Sequence, residues 1–131
     1  MAIAWEPFLA QVQERGEYTT PREAERVTRA VLAALGAHLL GSQRKKLADQ
    51  LPVQCQPLLL EPLPATKPLN PHEFVEAVAL LIEGATPETA RWDTGAVLST
   101  LADIAGKDLL HAILTQLPPG YALLFGRSEL A

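Results

Sequence analysis

The 131-residue chain contains one cysteine, Cys55, and only 5% of its residues are aromatic. A single thiol excludes an internal disulfide framework and a zinc site made of several thiolates. The few aromatic rings leave little surface for stacking against single-stranded bases. No apolar run approaches the roughly 18 residues of a membrane span, and the first residues lack the basic start of a signal peptide. We therefore expect a soluble, cytoplasmic protein.

The composition is that of an ordinary globular protein, with 48% apolar and 20% charged residues and a net charge of −4. Residues 1–60 contain seven Lys and Arg against six Asp and Glu, whereas residues 61–131 contain four against nine. An acidic chain is a poor general binder of nucleic acid, although a local basic patch could still hold an anion. Alanine and leucine dominate and β-branched residues are sparse, which favours helices. The length predicts one domain over residues 1–131.

An internal repeat organises the chain. Residues 5–59 align without a gap on residues 71–125, at an offset of 66. The alignment contains fifteen identities where this composition gives about four or five by chance, which indicates a duplicated unit. The identical pairs are Phe8/Phe74, Val12/Val78, Glu17/Glu83, Thr20/Thr86, Pro21/Pro87, Ala24/Ala90, Thr28/Thr94, Ala30/Ala96, Val31/Val97, Leu32/Leu98, Leu35/Leu101, Gln50/Gln116, Leu51/Leu117, Pro52/Pro118 and Leu58/Leu124.

Helix start and stop signals recur in both copies. A capping residue followed by proline predicts helix starts at Thr20, Asn70 and Thr86. We predict Ser42 and Asp108 as the N-caps of a third helix in each copy. These helices should end at Leu51-Pro52 and Leu117-Pro118, because a residue before proline is pushed out of the helical region. A short helix or turn is predicted after each proline, over residues 53–60 and 120–125.

These patterns predict an all-α helical bundle built from two tandem, pseudo-symmetric repeats of three to four helices each. Repeat one covers residues 5–59, a proline-rich connector covers residues 60–70, and repeat two covers residues 71–125. Units of about 55 residues are marginally stable alone, so we expect the two repeats to pack together.

The sequence contains none of the common catalytic or nucleotide-binding motifs. No glycine-rich phosphate loop, dinucleotide fingerprint or nucleophile elbow occurs, so we predict no enzyme activity, no cofactor and no metal site. Asp108 and His111 could share a helix face, but a capping role for Asp108 is the simpler interpretation. We expect His38 to be a packed, hydrogen-bonded residue at the edge of the core and Cys55 to be a buried thiol.

Six basic residues are candidates for binding an anionic ligand. Arg22, Arg26 and Arg29 line one outer face of the helix after Thr20. Arg44, Lys45 and Lys46 form a second cluster near the start of the following helix. The alternative interpretation is a solvated face, partly neutralised by neighbouring carboxylates.

The second copy differs at these positions. It has Glu88, Trp92 and Gly95 where the first has the three arginines, and its helix over residues 108–116 is apolar nearly all round. Such a helix must be covered by the first unit or by another chain. If another chain covers it, we expect Trp92, Leu109 and Leu110 in the contact. Asp93 needs a partner if it is buried, and its sequence neighbours do not identify one.

Several of the repeated residues carry a family resemblance. The order Phe-Leu-x-x-Val from Phe8, Ala-x5-Ala-Val-Leu-x-x-Leu from Ala24 and Gln-Leu-Pro from Gln50, with related residues repeated from Phe74, Ala90 and Gln116, resembles the bacterial family called domain of unknown function 2267. The resemblance covers about residues 5–126. It implies a small helical protein of two related halves, and it implies no catalytic residues.

The sequence is compatible with two functions. The first is a non-enzymatic protein-interaction or adaptor module, which binds an unidentified protein or a second copy through Trp92 and the helix over residues 108–116. The alternative is a binder of an anionic ligand or nucleic acid through the basic helix face. We favour the interaction module.

Overall fold

The computed structural model describes residues 2–39, 41–60 and 67–127. Within these ranges the chain forms eight α-helices and no β-strand, so the prediction of an all-α protein is confirmed. The helices are α1 (Trp5–Gly16), α2 (Pro21–Gly36), α3 (Gly41–Gln50), α4 (Gln56–Leu60), α5 (Pro71–Leu81), α6 (Pro87–Ala105), α7 (Lys107–Gln116) and α8 (Tyr121–Leu124). A 3₁₀ turn, Val53–Cys55, leads directly into α4.

Three helices begin at the predicted capping residues. The hydroxyl of Thr20 accepts from the backbone N–H of Glu23, at 3.2 Å. Asn70 accepts from the N–H of Glu73, whose side chain accepts in return from the N–H of Asn70. Thr86 forms the same reciprocal pair with Thr89. Each cap satisfies a backbone donor that has no partner inside the helix, and the proline that follows needs none.

The caps predicted for α3 and α7 are wrong. Ser42 lies inside α3, which already includes Gly41, and Asp108 lies in the first turn of α7. The N-cap of α7 is Gly106, with φ 84° and ψ 168°. Glycine alone adopts this conformation readily, so a single residue ends α6 and starts α7 without a linker.

The predicted helix ends are confirmed. Helix α3 ends at Gln50 and α7 at Gln116, each one residue before the Leu-Pro pair. A short helical segment follows each proline, as expected.

Buried side chains from all eight helices form one hydrophobic cluster. Helix α1 packs against α2 and α6, and α2 also packs against α5 and α6. Helix α3 contacts α7. Helices before and after the proline-rich connector therefore contribute to the same core.

The helix starts follow the sequence offset. Helices α1, α2 and α3 start at Trp5, Pro21 and Gly41, and α5, α6 and α7 each start 66 residues later. Helix α6 has 19 residues and α2 has 16, so the second long helix extends further before it ends.

Both backbone polar groups of Leu69, just before α5, form hydrogen bonds with side chains from other parts of the chain. The backbone N–H of Leu69 donates to Nε2 of His38, at 3.3 Å, and the hydroxyl of Tyr121 donates to the carbonyl of Leu69, at 2.8 Å. These bonds join the end of α2, the start of α5 and α8. Residues 61–66, most of the predicted connector, lie outside the described residues.

None of the described helices combines the length and the apolar character needed to cross a bilayer.

Candidate functional site

Trp92 lies near the start of α6 and is exposed over 52% of its surface. Its indole N–H donates to the carbonyl of Gly16, the last residue of α1, at 2.9 Å. Carbonyl groups in the last turn of a helix have no partner inside that helix, so the bond satisfies one of them. The bond also holds the ring in one position. Trp92 is therefore open to solvent and yet fixed.

Asp93 is buried, and its partner is Tyr18 in the loop between α1 and α2. The Tyr18 hydroxyl donates to Oδ1 of Asp93 at 2.5 Å. Burial raises the pKa of Asp93, against the opposing effects of the Tyr18 hydrogen bond and the charge of Arg26. Burial and the neighbouring carboxylate of Asp93 both raise the pKa of Tyr18. Sequence reasoning missed this partner.

The Tyr18 ring lies directly against Gly16. A Cβ atom at position 16 would stand 2.0 Å from Cε2 of Tyr18, so only glycine fits. Two hydrogen bonds thus join this region to α6: Trp92 donates to the last residue of α1, and Tyr18 in the following loop donates to Asp93. This arrangement positions the tryptophan ring beside the end of α1.

A hollow of about 450 Å³ opens beside Trp92. Arg15 of α1 forms one side, and one face of α6 forms the floor and the other side. The α6 residues recur every three or four positions, as a single helix face requires. They are Glu88, Arg91, Trp92, Gly95, Ala96 and Ser99.

Gly95 lies in this hollow, in the interior of α6. A Cβ atom at this position would meet only the tip of Arg91, at 3.9 Å. A glycine inside a helix costs roughly 0.5–1 kcal/mol relative to alanine. The packing of the described residues does not require glycine here, because none of them fills the space above it.

Arg15 reaches along the side of this hollow to Asp103. Its guanidinium forms an ion pair with the Asp103 carboxylate, which Arg127 also binds at 3.1 Å. The hydrogen bond from Arg15 and the one from Arg127 hold the pKa of Asp103 below its usual range. The pair joins α1 to α6 one turn beyond Ser99.

A second hollow of about 450 Å³ lies between α5, the start of α6 and α8. Val75 and the exposed Leu123 contribute apolar surface to it. The two hollows share Glu88 and Arg91 in their linings. They are therefore neighbours along α6.

Leu109 and Leu110 do not join Trp92 in an exposed patch. Leu110 is 6% exposed and belongs to the core, and Leu109 is half-buried and packs against it. Helix α7 is covered within the chain, where it contacts α3 and α6. Of the three candidate interaction residues, only Trp92 is well exposed.

The six basic candidates do not form one site. Arg22, Arg26 and Arg29 line a hollow of about 590 Å³ on α2, where Arg29 pairs with Glu25 at 3.0 Å. The second cluster lies past the other end of α2, a helix about 24 Å long. There Arg44 donates to the carbonyl of Leu39, Lys45 pairs with Asp49 at 3.7 Å, and Lys46 is exposed.

His38 is packed and hydrogen-bonded, as expected. Its Nε2 accepts from Leu69, so Nδ1 carries the proton and donates to the carbonyl of Ala34 at 3.0 Å. The ring also packs edge-on against Phe74. Both ring nitrogens are therefore engaged in structural bonds.

Cys55 is a buried thiol, also as expected, and burial raises its pKa to about 12. A thiol in this state is a poor nucleophile at neutral pH. Across residues 2–39, 41–60 and 67–127, no three His, Cys, Asp or Glu side chains are grouped so as to hold a metal ion.

No curated protein sequence matches the chain at a significant level. Residues 5–124 match the family described as "Uncharacterized conserved protein (DUF2267)", which agrees with the resemblance noted from the sequence. Because the match covers most of the chain, the protein belongs to this family.

Proposed function

We propose that this protein is a non-enzymatic protein-interaction or adaptor module and that Trp92 is the centre of its binding surface. One observation carries the proposal: a half-exposed tryptophan, fixed by a hydrogen bond, stands beside an open hollow. Tryptophan and arginine are the residue types most enriched among those that dominate binding energies. Here Trp92 is flanked by Arg15 and Arg91.

The fixed ring also favours tight binding. A side chain that already occupies one position loses little freedom when a partner packs against it. Gly95 also supports the proposal, because glycine destabilises the interior of a helix and no described residue packs closely enough on it to require glycine. A partner that approaches α6 closely would supply that reason.

The proposed duplication accounts for the different chemistry of the corresponding faces of α2 and α6. Glu88, Arg91, Trp92 and Gly95 align with Arg22, Glu25, Arg26 and Arg29. We propose that the chain consists of two related units whose long helices, α6 and α2, present the same outer face with different chemistry. The α6 face offers an aromatic ring and an open floor. The α2 face offers guanidinium groups.

The α2 face supports a second candidate function, the binding of an anionic ligand. Arg22 and Arg26 are exposed and form no ion pair with any described residue, and they line the 590 Å³ hollow. Glu23 and Glu25 lie in the same hollow and lower its net charge. For this reason we rank it second.

Affinity capture from a lysate of the source organism tests the proposal. The wild-type chain is compared with Gly95→Leu, which fills the hollow and leaves the Trp92 hydrogen bond intact, and with the double variant Arg22→Glu/Arg26→Glu. We expect the wild-type chain to capture a partner protein that stays bound at high salt. Gly95→Leu should no longer capture this protein, whereas the double variant should still do so. The opposite pattern, with salt-sensitive binding lost only in the double variant, would replace the proposal by the anion-binding function.

A further inference from the structure

Two neighbouring hollows along α6 share Glu88 and Arg91 in their linings and are together called the groove, and we infer that one amphipathic helix of a partner protein occupies both. This inference rests on the proposed function and adds the chemistry of the partner. In this arrangement one apolar side chain enters the hollow beside Trp92 and a second enters the hollow beside Leu123. A carboxylate between them pairs with Arg91.

The dimensions of the groove suit a short helix. Its lining on α6 runs from Pro87 to Ser99, which corresponds to about 18 Å at the rise of an α-helix. A helix of about 12 residues covers this length. Apolar residues about two turns apart, at positions i and i+7, would reach the two hollows.

The surroundings favour a helix over an extended segment. The described lining comes from helices and from residues next to them, and no described residue lies in a β-strand whose edge an extended segment could join. An extended segment pressed into an apolar hollow would bury unpaired N–H and C=O groups. A helical partner satisfies its backbone groups internally.

The charged side chains that line the two hollows favour an acidic residue in the partner. Arg15 already pairs with Asp103, and Glu76 lies 3.7 Å from His72. Glu88 lies in the first turn of α6, where the helix dipole stabilises a negative charge. Arg91 is exposed and forms no ion pair within the described part of the chain. Arg91 is thus the charged residue of the two linings that an acidic residue of the partner would complement.

The probe is a phage-displayed library of 16-residue peptides on an alanine-rich helical host, selected against the full wild-type chain. We expect enriched peptides to carry apolar residues at i and i+7 and Asp or Glu at i+3 or i+4. Dissociation constants for an enriched peptide are then measured by fluorescence anisotropy. We expect Gly95→Leu, Leu123→Glu and Arg91→Glu each to weaken binding by about tenfold or more.

Two controls make the result specific. Arg22→Glu, on the matching face of α2, should leave the dissociation constant unchanged, and replacing the peptide's acidic residue by lysine should restore binding to Arg91→Glu. Each variant replaces an exposed or open position, and its circular dichroism should match the wild type. These controls separate a lost contact from a lost fold.

Three outcomes would overturn the inference. Binding that is lost with Gly95→Leu but unchanged by Leu123→Glu and Arg91→Glu would confine the partner to the Trp92 hollow, which leaves the proposed function in place. Binding unaffected by all three variants, or no enriched peptide at all, would refute a helix-binding groove. A dimer in analytical ultracentrifugation that Gly95→Leu abolishes would make a second copy the occupant instead.

Discussion

Replacing Gly95 by alanine should stabilise the protein. Gly95 is in the interior of α6, its φ is not positive, and a Cβ atom would meet only the tip of Arg91 at 3.9 Å. The substitution removes conformational freedom from the unfolded chain and adds no clash, so the expected gain is about 0.5–1 kcal/mol. With an unfolding entropy of about 2.1 cal/mol/K per residue, this gain raises Tm by about 2–4 °C.

Thermal unfolding followed by circular dichroism measures this shift. Gly106→Ala is the matched control, because φ of Gly106 is 84° and ψ is 168°, a region that only glycine occupies readily. It should lower the free energy of unfolding by about 1–3 kcal/mol. A Gly95→Ala variant that is no more stable than the wild type would refute our reasoning, since it would mean that the fold itself requires glycine there.

Three further predictions concern buried polar groups. Thr28→Val and Thr94→Val should each stabilise the chain by about 1 kcal/mol in urea unfolding, because both hydroxyls are buried and neither has a hydrogen-bond partner among the described residues; a loss of stability would show that they are bonded. Tyr18→Phe should destabilise it by about 1–3 kcal/mol, because Asp93 then lacks its donor; an unchanged unfolding midpoint would contradict this bond. Asp93→Asn should raise Tm at pH 7, and this difference from the wild type should disappear towards pH 4. The reason is that the pKa of Asp93 is raised in the folded state, so the stability of the wild type falls as pH rises above the ordinary aspartate pKa of about 3.9. A pH-independent difference would contradict it.

The helix boundaries could be predicted where they depend on neighbouring residues in the sequence. A cap such as Asn70 and a stop such as Leu117-Pro118 act through bonds and clashes within one turn, so the local sequence contains the required information. The start of α7 depends instead on the backbone conformation of Gly106. Glycine permits many conformations, so its identity alone does not predict this one.

The candidate site could be predicted in part. Trp92 is a candidate because an aromatic residue aligns with Arg26 at the 66-residue offset, and the side chain is half-exposed. The sequence predicts Leu110 at the same surface only if another chain covers α7, which is apolar nearly all round. Periodicity shows that such a helix is covered but not by which element, and here α3 and α6 cover it.

The bonds that position Trp92 could not be predicted, because they join residues far apart in the chain. Tyr18 and Asp93 are 75 positions apart, and Gly16 and Trp92 are 76 apart. Nothing in the local pattern around Tyr18 indicates a carboxylate partner. Such pairs depend on how α1 packs against α6, which the sequence of either helix alone does not specify.

The significance of Gly95 depends on both its position in the sequence and its surroundings in the structure. In the sequence it is a glycine within a predicted helix, aligned with Arg29 at the 66-residue offset, and the neighbouring residues give no reason for a glycine. In the structure it lies inside a helix and no described residue packs closely above it, so neither a turn nor a close contact within the described residues accounts for it. Because a helix-interior glycine destabilises the fold, we propose that its position beside a fixed tryptophan serves the binding of a partner. A glycine under a closely packed neighbour would instead be explained by the fold itself.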